Sequence, residues 1–197
     1  MKDTILIDKE KNTIKNLNKP FHIVNPKDMK KWLCVYKASN NKKKYDIIFN
    51  KADKFSNTLI EASKGYKLSI SPPKWIEMDE EDDVDAWIKS VEKIMQSGEY
   101  TFVIYLLDYD DEILYTDLKI HSLCHNGYIS QIVKYNSLNK NAMSVCSKIL
   151  LQINSKLSGF SYLVKFEDEI KKLKLMIIGV DSSHIKGKRT RVNDINN

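Results

Sequence analysis

Five polar side chains in the second half of the chain stand at spacings that suit phosphate binding. Tyr115 and Lys119 are one helical turn apart, Gln152 and Lys156 are another such pair, and Gln131 lies between the two pairs. Residues four apart on a helix lie on one face. Ammonium groups would supply charge, while amide and hydroxyl groups would supply directed hydrogen bonds. Together the five predict a site for a phosphate monoester, where the Tyr115 ring could also stack on a terminal base.

Either pair taken alone has a simpler interpretation. A tyrosine or glutamine one turn from a lysine is typical of a solvated helix face. The hypothesis therefore depends on whether the fold brings the two pairs together, and this leads to the elements that carry them.

Apolar periodicity and Gly/Pro breaks indicate an alternating chain of strands and helices. The predicted strands are 32–36, 66–70, 100–107, 128–135, 160–164 and 173–180, and the predicted helices are 46–63, 87–95, 114–123 and 142–157. From about residue 65 onward the alternation predicts an α/β fold, with a Rossmann-like parallel sheet flanked by helices. In such sheets ligands bind where strands end and loops lead into helices, as at 108–113 and 136–141.

Composition limits the functional classes. Thirty-two Lys+Arg against 26 Asp+Glu give a net charge of +6, which is compatible with a polyanionic partner without requiring one. No GxGxxG or GxxxxGK[ST] run is present, which argues against a nucleotide cofactor. Three widely spaced cysteines without zinc-site spacing predict buried free thiols. No apolar run reaches membrane-spanning length, and we expect a cytoplasmic or nuclear protein without membrane partners.

Three runs of sequence resemble the MID domain of Argonaute proteins. They are Tyr-Thr-Asp-Leu-Lys at 115–119, Ser-Gln-Ile-Val at 130–133 and Gln-Ile-Asn-Ser-Lys-Leu-Ser-Gly at 152–159. Their order and spacing match the family pattern without a gap. Gln152 stands where the Ago clade commonly has lysine and is similar to the Piwi clade. Ser158 stands where the family usually has the first of two glycines.

Two further runs extend the resemblance. Residues 176–184 are similar to the first strand of the PIWI domain, and residues 68–75 are similar to the segment that leads into a Piwi-type MID domain. On this basis we divide the chain into an N-terminal linker-like region at 1–64, a MID domain at 65–172 and the start of a truncated PIWI (RNase H-like) domain at 173–197.

The resemblance implies a role in RNA silencing. The partner would be a single-stranded small guide RNA, and its 5′ phosphate would be bound by Tyr115, Lys119, Gln131, Gln152 and Lys156. Because Gln152 replaces a positive charge, the resemblance also implies weak binding assisted by Mg²⁺ at the phosphate, with no metal held by protein ligands alone.

The acidic loop before the helix at 114–123 corresponds to the family's nucleotide-specificity loop, which suggests a uracil preference. Its residues are Asp108, Tyr109, Asp110, Asp111 and Glu112. By residue type alone the loop is equally well interpreted as a solvated turn that caps the following helix.

Asp181 matches the first acidic residue of the family's RNase H-like site. Such cleavage uses several carboxylates that hold two divalent metal ions, and Asp181 alone cannot assemble them. We therefore expect no catalytic residue and no slicer activity in this chain. Two alternatives stay open. The chain could be part of a complete Piwi endoribonuclease, with the remaining Argonaute domains as partners, or it could be a doubly wound domain that mediates protein contacts.

Overall fold

The computed structural model of the protein describes residues 7–8, 13–14, 23–107, 112–139, 141–163, 168, 172–174, 176 and 178–182. They fall into two compact units, residues 1–163 and residues 164–197, and each is described by itself. The first unit carries the sheet and its helices.

A four-stranded parallel sheet forms the centre of the first unit. Its strands are β3 (Trp32–Lys37), β4 (Lys74–Met78), β5 (Phe102–Leu107) and β6 (Ile129–Lys134). Their order in space is β4-β3-β5-β6, so β4 and β6 are the edges. A separate antiparallel pair consists of β1 (Ile7–Asp8) and β2 (Thr13–Ile14). The predicted α/β class with a parallel sheet is confirmed.

Helices cover both faces of this sheet, as parallel strands require. They are α1 (Lys42–Gly65), α2 (Val84–Met95), α3 (Glu112–Ile120) and α4 (Ala142–Lys156). Helices α1 and α4 share one hydrophobic cluster with the sheet, and α2 and α3 share the other. A π-helical segment, His121–His125, continues α3, and a 3-10 turn, Tyr135–Leu138, follows β6.

Strand β5 explains why the core has two layers. All six of its side chains are buried. Phe102, Ile104 and Leu106 join the cluster that contains α1 and α4, whereas Val103, Tyr105 and Leu107 join the one that contains α2 and α3. Because successive side chains of a strand point to opposite faces, a continuous apolar run is what a strand covered on both sides needs.

The strand predicted at 66–70 is wrong. Tyr66 and Leu68 donate backbone hydrogen bonds to the Ser63 carbonyl, at 3.0 and 3.1 Å, so this stretch closes α1. Lys67 has φ of +53°, which is incompatible with a strand. The alternation arises because Tyr66, Leu68 and Ile70 are buried in the core as a connecting segment. The strand itself, β4, begins only after the two prolines at 72 and 73.

The strands predicted near the C-terminus are also not seen in the part of the chain that the structure describes. Phe160 makes a single antiparallel bridge with Asn25, and residues 161–163 lie in no strand. Tyr162 and Leu163 are exposed and so offer no buried face on which a strand could extend. In the stretch 173–180, the described residues 173, 174, 176 and 178–180 form no strand.

The predicted division at residue 64/65 does not coincide with the sheet. Strand β3 lies between β4 and β5, and α1 packs on α4, so residues 32–65 are part of the same α/β layer. The prediction treated residues 1–64 as linker-like because it placed the strand–helix alternation only from about residue 65 onward. The buried run at 32–36 nevertheless supplies an inner strand.

Cysteine burial departs in part from expectation. Cys34 and Cys146 are buried free thiols, as predicted, but Cys124 in the π-helical segment is exposed. Burial raises the pKa of the Cys146 thiol to about 12 and that of Cys34 well above its usual range. None of the helices among the described residues has the length and apolar character needed to cross a membrane.

Candidate functional site

Edge strand β6 presents two adjacent polar residues to opposite faces of the sheet. Ser130 and Gln131 follow the first residue of the strand. Their neighbours fix the directions, since Ile129 and Val133 pack with the α1/α4 cluster while Ile132 packs with the α2/α3 cluster. By alternation Ser130 therefore points towards α3, and Gln131 points towards α4.

A lysine from each face meets this pair. The Lys119 ammonium, from the last turn of α3, donates to the Ser130 carbonyl at 3.2 Å and to its Oγ at 3.1 Å. The Lys156 ammonium, from the last residue of α4, donates to the same carbonyl at 2.7 Å and to Gln131 Oε1 at 2.7 Å. The two lysines belong to helices on opposite faces, but they converge at the amino end of β6, an edge strand of the described sheet.

The shared carbonyl holds the two positive charges close together. Distances of 3.2 and 2.7 Å to one oxygen limit the Nζ–Nζ separation to about 6 Å. Two like charges at that separation repel by roughly 2–3 kcal/mol at an effective dielectric constant of about 20. Desolvation and then the Lys156 charge lower the pKa of Lys119 from 10.5 to about 8. Desolvation also lowers the pKa of Lys156. A dianion between them would relieve the repulsion.

The position of this cluster differs from the one expected for a doubly wound sheet. It lies at the amino end of β6, whereas the loops favoured from the sequence lie at carboxyl ends of strands. Helix α4 ends here, so the partial charge that it presents is that of a helix C-terminus, which is negative. Helix α3 continues into the π-helical segment beyond Lys119. The dipole of α4 therefore stabilises Lys156 and does not attract an anion directly, so the ammonium groups must supply the attraction.

Tyr115 and Gln152 lie beside the cluster without joining it. Tyr115 is 42% exposed, one turn before Lys119 on α3. Gln152 is exposed, one turn before Lys156 on α4. Within the described part of the chain, neither side chain makes a hydrogen bond to Ser130, Lys119 or Lys156. The structure thus brings together Lys119, Gln131 and Lys156, and leaves the other two as exposed neighbours available to a ligand.

The remaining predicted site residues include some that lie outside the described residues and one that belongs to the second unit. Asp108, Tyr109, Asp110 and Asp111 lie outside them, and Glu112 is the exposed first residue of α3, where a carboxylate offsets the helix dipole. Asp181 belongs to the second unit, where it is exposed and its Oδ1 accepts from the Ser182 N–H at 2.9 Å.

Sequence reasoning missed two buried serines. Ser130 is 3% exposed and Ser122 is fully buried, and their hydroxyl oxygens are 2.9 Å apart. Ser122 lies in the π-helical segment, whose hydrogen bond from the Asn126 N–H to the His121 carbonyl spans five residues. A serine at a strand position that faces a helix is only a weak indication of a functional site, and no sequence pattern predicts a π-helical turn. Such turns are frequent at functional sites.

The turn after α4 anchors the helix end that carries Lys156. The Asn154 side chain is fully buried, accepts from the Lys27 N–H at 2.9 Å and donates to the Asn25 carbonyl at 3.4 Å. A Cβ on Gly159 would meet the Asn154 side chain at 2.6 Å and the Asn25 carbonyl at 2.7 Å, so only glycine fits there. Ser158 has φ of +62°, a conformation that favours glycine.

Comparisons with known proteins agree with the resemblance seen in the sequence. Residues 101–196 match the family model of the Piwi domain. The structure is similar to that of Drosophila Piwi, with a TM-score of 0.66 and 16% identity over 76% of this chain and 20% of that chain. It is also similar to the Arabidopsis thaliana AGO5 MID domain, with a TM-score of 0.57 and 19% identity over 73% of this chain and 99% of that domain.

A third similar structure is that of Kluyveromyces polysporus Argonaute with a guide RNA, with a TM-score of 0.57 and 17% identity over 80% of this chain and 19% of that one. The chain thus spans about a fifth of the length of Drosophila Piwi and of this Argonaute, but matches nearly all of an isolated MID domain. The predicted Argonaute/Piwi resemblance and MID-type fold are confirmed.

Proposed function

We propose that this chain, which matches the Piwi domain family over residues 101–196 and has the fold of Argonaute MID domains, binds the 5′ phosphate of a single-stranded small guide RNA. The observation that carries the proposal is the meeting of the Lys119 and Lys156 ammonium groups at the Ser130 carbonyl. Two positive charges within about 6 Å match the two negative charges of a terminal phosphate, whereas an internal phosphodiester carries only one.

The neighbouring side chains suit the rest of a guide end. Gln131, on strand β6, offers an amide next to Lys156. Gln152 offers another from helix α4, on the exposed face that also carries Lys156. Tyr115 has an exposed ring, on which the first base could stack with a contribution of about 1–3 kcal/mol. In this proposal the lysines bind the charge, the amides orient the phosphate oxygens, and Tyr115 holds the base.

Magnesium assistance is a further part of the proposal. Among the described residues no group of three or more His, Cys, Asp or Glu side chains could hold a metal ion. Two adjacent ammonium groups also disfavour a protein-held cation. Mg²⁺ would therefore bind through oxygens of the phosphate, with the exposed Gln152 amide as an additional oxygen ligand. When bound, it would add to the positive charge that the two lysines place at the phosphate.

The chain is proposed to act without cleaving RNA, alongside the other domains of an Argonaute protein in the cytoplasm or nucleus. Asp181 is the residue that the resemblance assigns to an acidic site, and a two-metal site needs several carboxylates. Incubation with a guide, a complementary target and Mg²⁺ tests this part, and a target cut at one position would refute it.

The binding proposal is tested with two RNA oligonucleotides of one sequence, one with a 5′ phosphate and one with a 5′ hydroxyl. Fluorescence polarisation should give the phosphorylated RNA a Kd at least tenfold lower, because a hydrogen bond to a charged group contributes about 1.5–3 kcal/mol. Lys156→Met should remove most of this preference while leaving binding of the hydroxyl form nearly unchanged.

Lys148 provides the matched control. It is an exposed lysine on the same helix, two turns before Lys156. Lys148→Met removes the same charge from α4 and should retain the phosphate preference. Equal Kd values for the two oligonucleotides in the unsubstituted protein, or an equal loss in both variants, would mean that the cluster binds no 5′ phosphate.

A further inference from the structure

Three polar groups form a closed hydrogen-bonded circuit beneath the lysine pair. The Ser122 hydroxyl donates to the Lys119 carbonyl at 3.2 Å, which uses its one hydrogen. The 2.9 Å bond between Ser122 and Ser130 must therefore have Ser130 Oγ as its donor. The lone pairs of Ser130 Oγ then accept from the Lys119 ammonium at 3.1 Å. The circuit begins and ends on Lys119.

This circuit fixes the direction of the lysine. A free lysine side chain has about 2 kcal/mol of rotamer entropy, which it would lose on binding a ligand. Here Lys119 already donates two of its three N–H groups to Ser130, and Lys156 donates two of its own to Ser130 and Gln131. Each ammonium retains a third N–H. Both lysines are thus held in place before any ligand arrives, by two adjacent residues of an edge strand, of which Ser130 contacts both.

We infer that Ser130, supported by Ser122, is a positioning residue that preorganises Lys119 and Lys156 for a phosphate dianion. This inference rests on the proposed function for its ligand. Ser130 acts through its carbonyl, which both ammonium groups share, and through its hydroxyl, which only Lys119 uses. Substitution can remove the hydroxyl while the carbonyl stays, so the contribution of the hydroxyl to positioning Lys119 can be measured.

The shared Ser130 carbonyl also identifies the charged group that lies near Lys119 and affects its pKa. Lys156 of α4 is the ionisable side chain that perturbs it, and β6 contributes the uncharged Ser130 and Gln131. A hydrogen bond to the charged form of a group favours that form. Loss of the Ser130 hydroxyl should therefore lower the pKa of Lys119 further, and this readout would not respond to a purely structural role of the serine.

The experiment compares Ser130→Ala, Ser130→Thr and Ser122→Ala with the unsubstituted chain. Lysine side-chain NMR of the free protein follows the titration of Lys119, and fluorescence polarisation follows the affinity for 5′-phosphorylated RNA at pH 7. We expect Ser130→Ala to titrate at lower pH and to bind about three- to tenfold more weakly. Ser130→Thr, which restores the hydroxyl, should recover both, and Ser122→Ala should have a smaller effect of the same sign.

Ser137→Ala is the matched control. Like the Ser122 hydroxyl, the Ser137 hydroxyl donates to a backbone carbonyl, that of Lys134, but it lies outside the circuit. The inference is overturned if Ser130→Ala titrates and binds like the unsubstituted chain. It is also overturned if affinity falls without a change in Lys119 titration. The titration needs no ligand, so it separates this inference from the proposed function: lack of 5′-phosphate preference with a shifted Lys119 would refute only the function.

Discussion

Raising the pH from 7 to 9 should selectively weaken phosphate binding. Desolvation and the nearby Lys156 lower the pKa of Lys119 to about 8. The protonated fraction of a group with that pKa falls from about 0.9 at pH 7 to about 0.1 at pH 9. If only the protonated form binds the dianion well, the apparent Kd rises in inverse proportion to this fraction, by about tenfold.

The phosphate itself titrates little in this range. Its second pKa is about 6, so about nine-tenths of it is already the dianion at pH 7 and slightly more at pH 9, and the fall in affinity reports on the protein. An unperturbed lysine, with a pKa near 10.4, would stay protonated to pH 9 and give a nearly flat profile. The slope between pH 7 and pH 9 therefore distinguishes a lysine whose pKa is lowered, by desolvation and by the nearby Lys156, from an unperturbed one.

Fluorescence polarisation at constant ionic strength, in half-unit steps of pH, is the assay. The 5′-hydroxyl oligonucleotide of the same sequence corrects for titration of bases or of other surface groups. Lys119→Met should bind the phosphorylated RNA weakly and with less dependence on pH between 7 and 9. A flat profile in the unsubstituted protein, or an unchanged slope in Lys119→Met, would refute the assignment of the titration to Lys119.

Three further predictions concern stability and charge. Lys119→Met should stabilise the unliganded protein at pH 7, because folding lowers the pKa of Lys119 from 10.5 to about 8 and so disfavours the charged side chain. Solvent screening limits the resulting gain in the free energy of unfolding to about 1 kcal/mol, which corresponds to a rise in Tm of about 2–4 °C. The gain should shrink as the pH rises from 8 to 10.5, and a lower Tm at pH 7 would contradict it. Gln152→Lys should tighten binding of the 5′ phosphate and reduce its dependence on Mg²⁺, whereas Met143→Lys, which adds the same charge nine residues (about 13 Å) away on α4, should do neither. Ser158→Gly should stabilise the chain by about 0.5–1 kcal/mol in urea unfolding, because it relieves a left-handed conformation, and no change in midpoint would show that φ of +62° costs nothing there.

The elements were predictable from local pattern, but their order in the sheet was not. The continuous apolar run of β5 and the amphipathic stripe of α4 gave strand and helix at nearly the observed bounds. Nothing local indicates that β3 inserts between β4 and β5, since strand order is decided by which faces pack best across the whole sheet. This is why the first 64 residues were assigned to a linker-like region.

The site was predictable in its residue types and not in its location. Spacing identified Lys119 and Lys156 as candidates, each on its own helix. Their meeting depends on both helices carrying their lysines to the same edge strand, on opposite faces, which no spacing encodes. Within the described part of the chain β6 has a neighbouring strand on one side only, and the Ser130 carbonyl has the two ammonium groups as its partners.

The position of the site at a helix C-terminus has a functional consequence. A phosphate bound at a helix N-terminus is held by backbone N–H groups, which do not titrate and are fixed in place. Here α4 points its negative end at the site, so attraction for an anion depends on Lys119 and Lys156 overcoming that field. Such a site loses affinity for the phosphate when either lysine loses its proton or is screened by salt. A phosphate site at a helix N-terminus would lose far less affinity under the same changes of pH and salt. The dependence of affinity on pH should therefore be steepest at low ionic strength, where the two lysines repel one another most strongly.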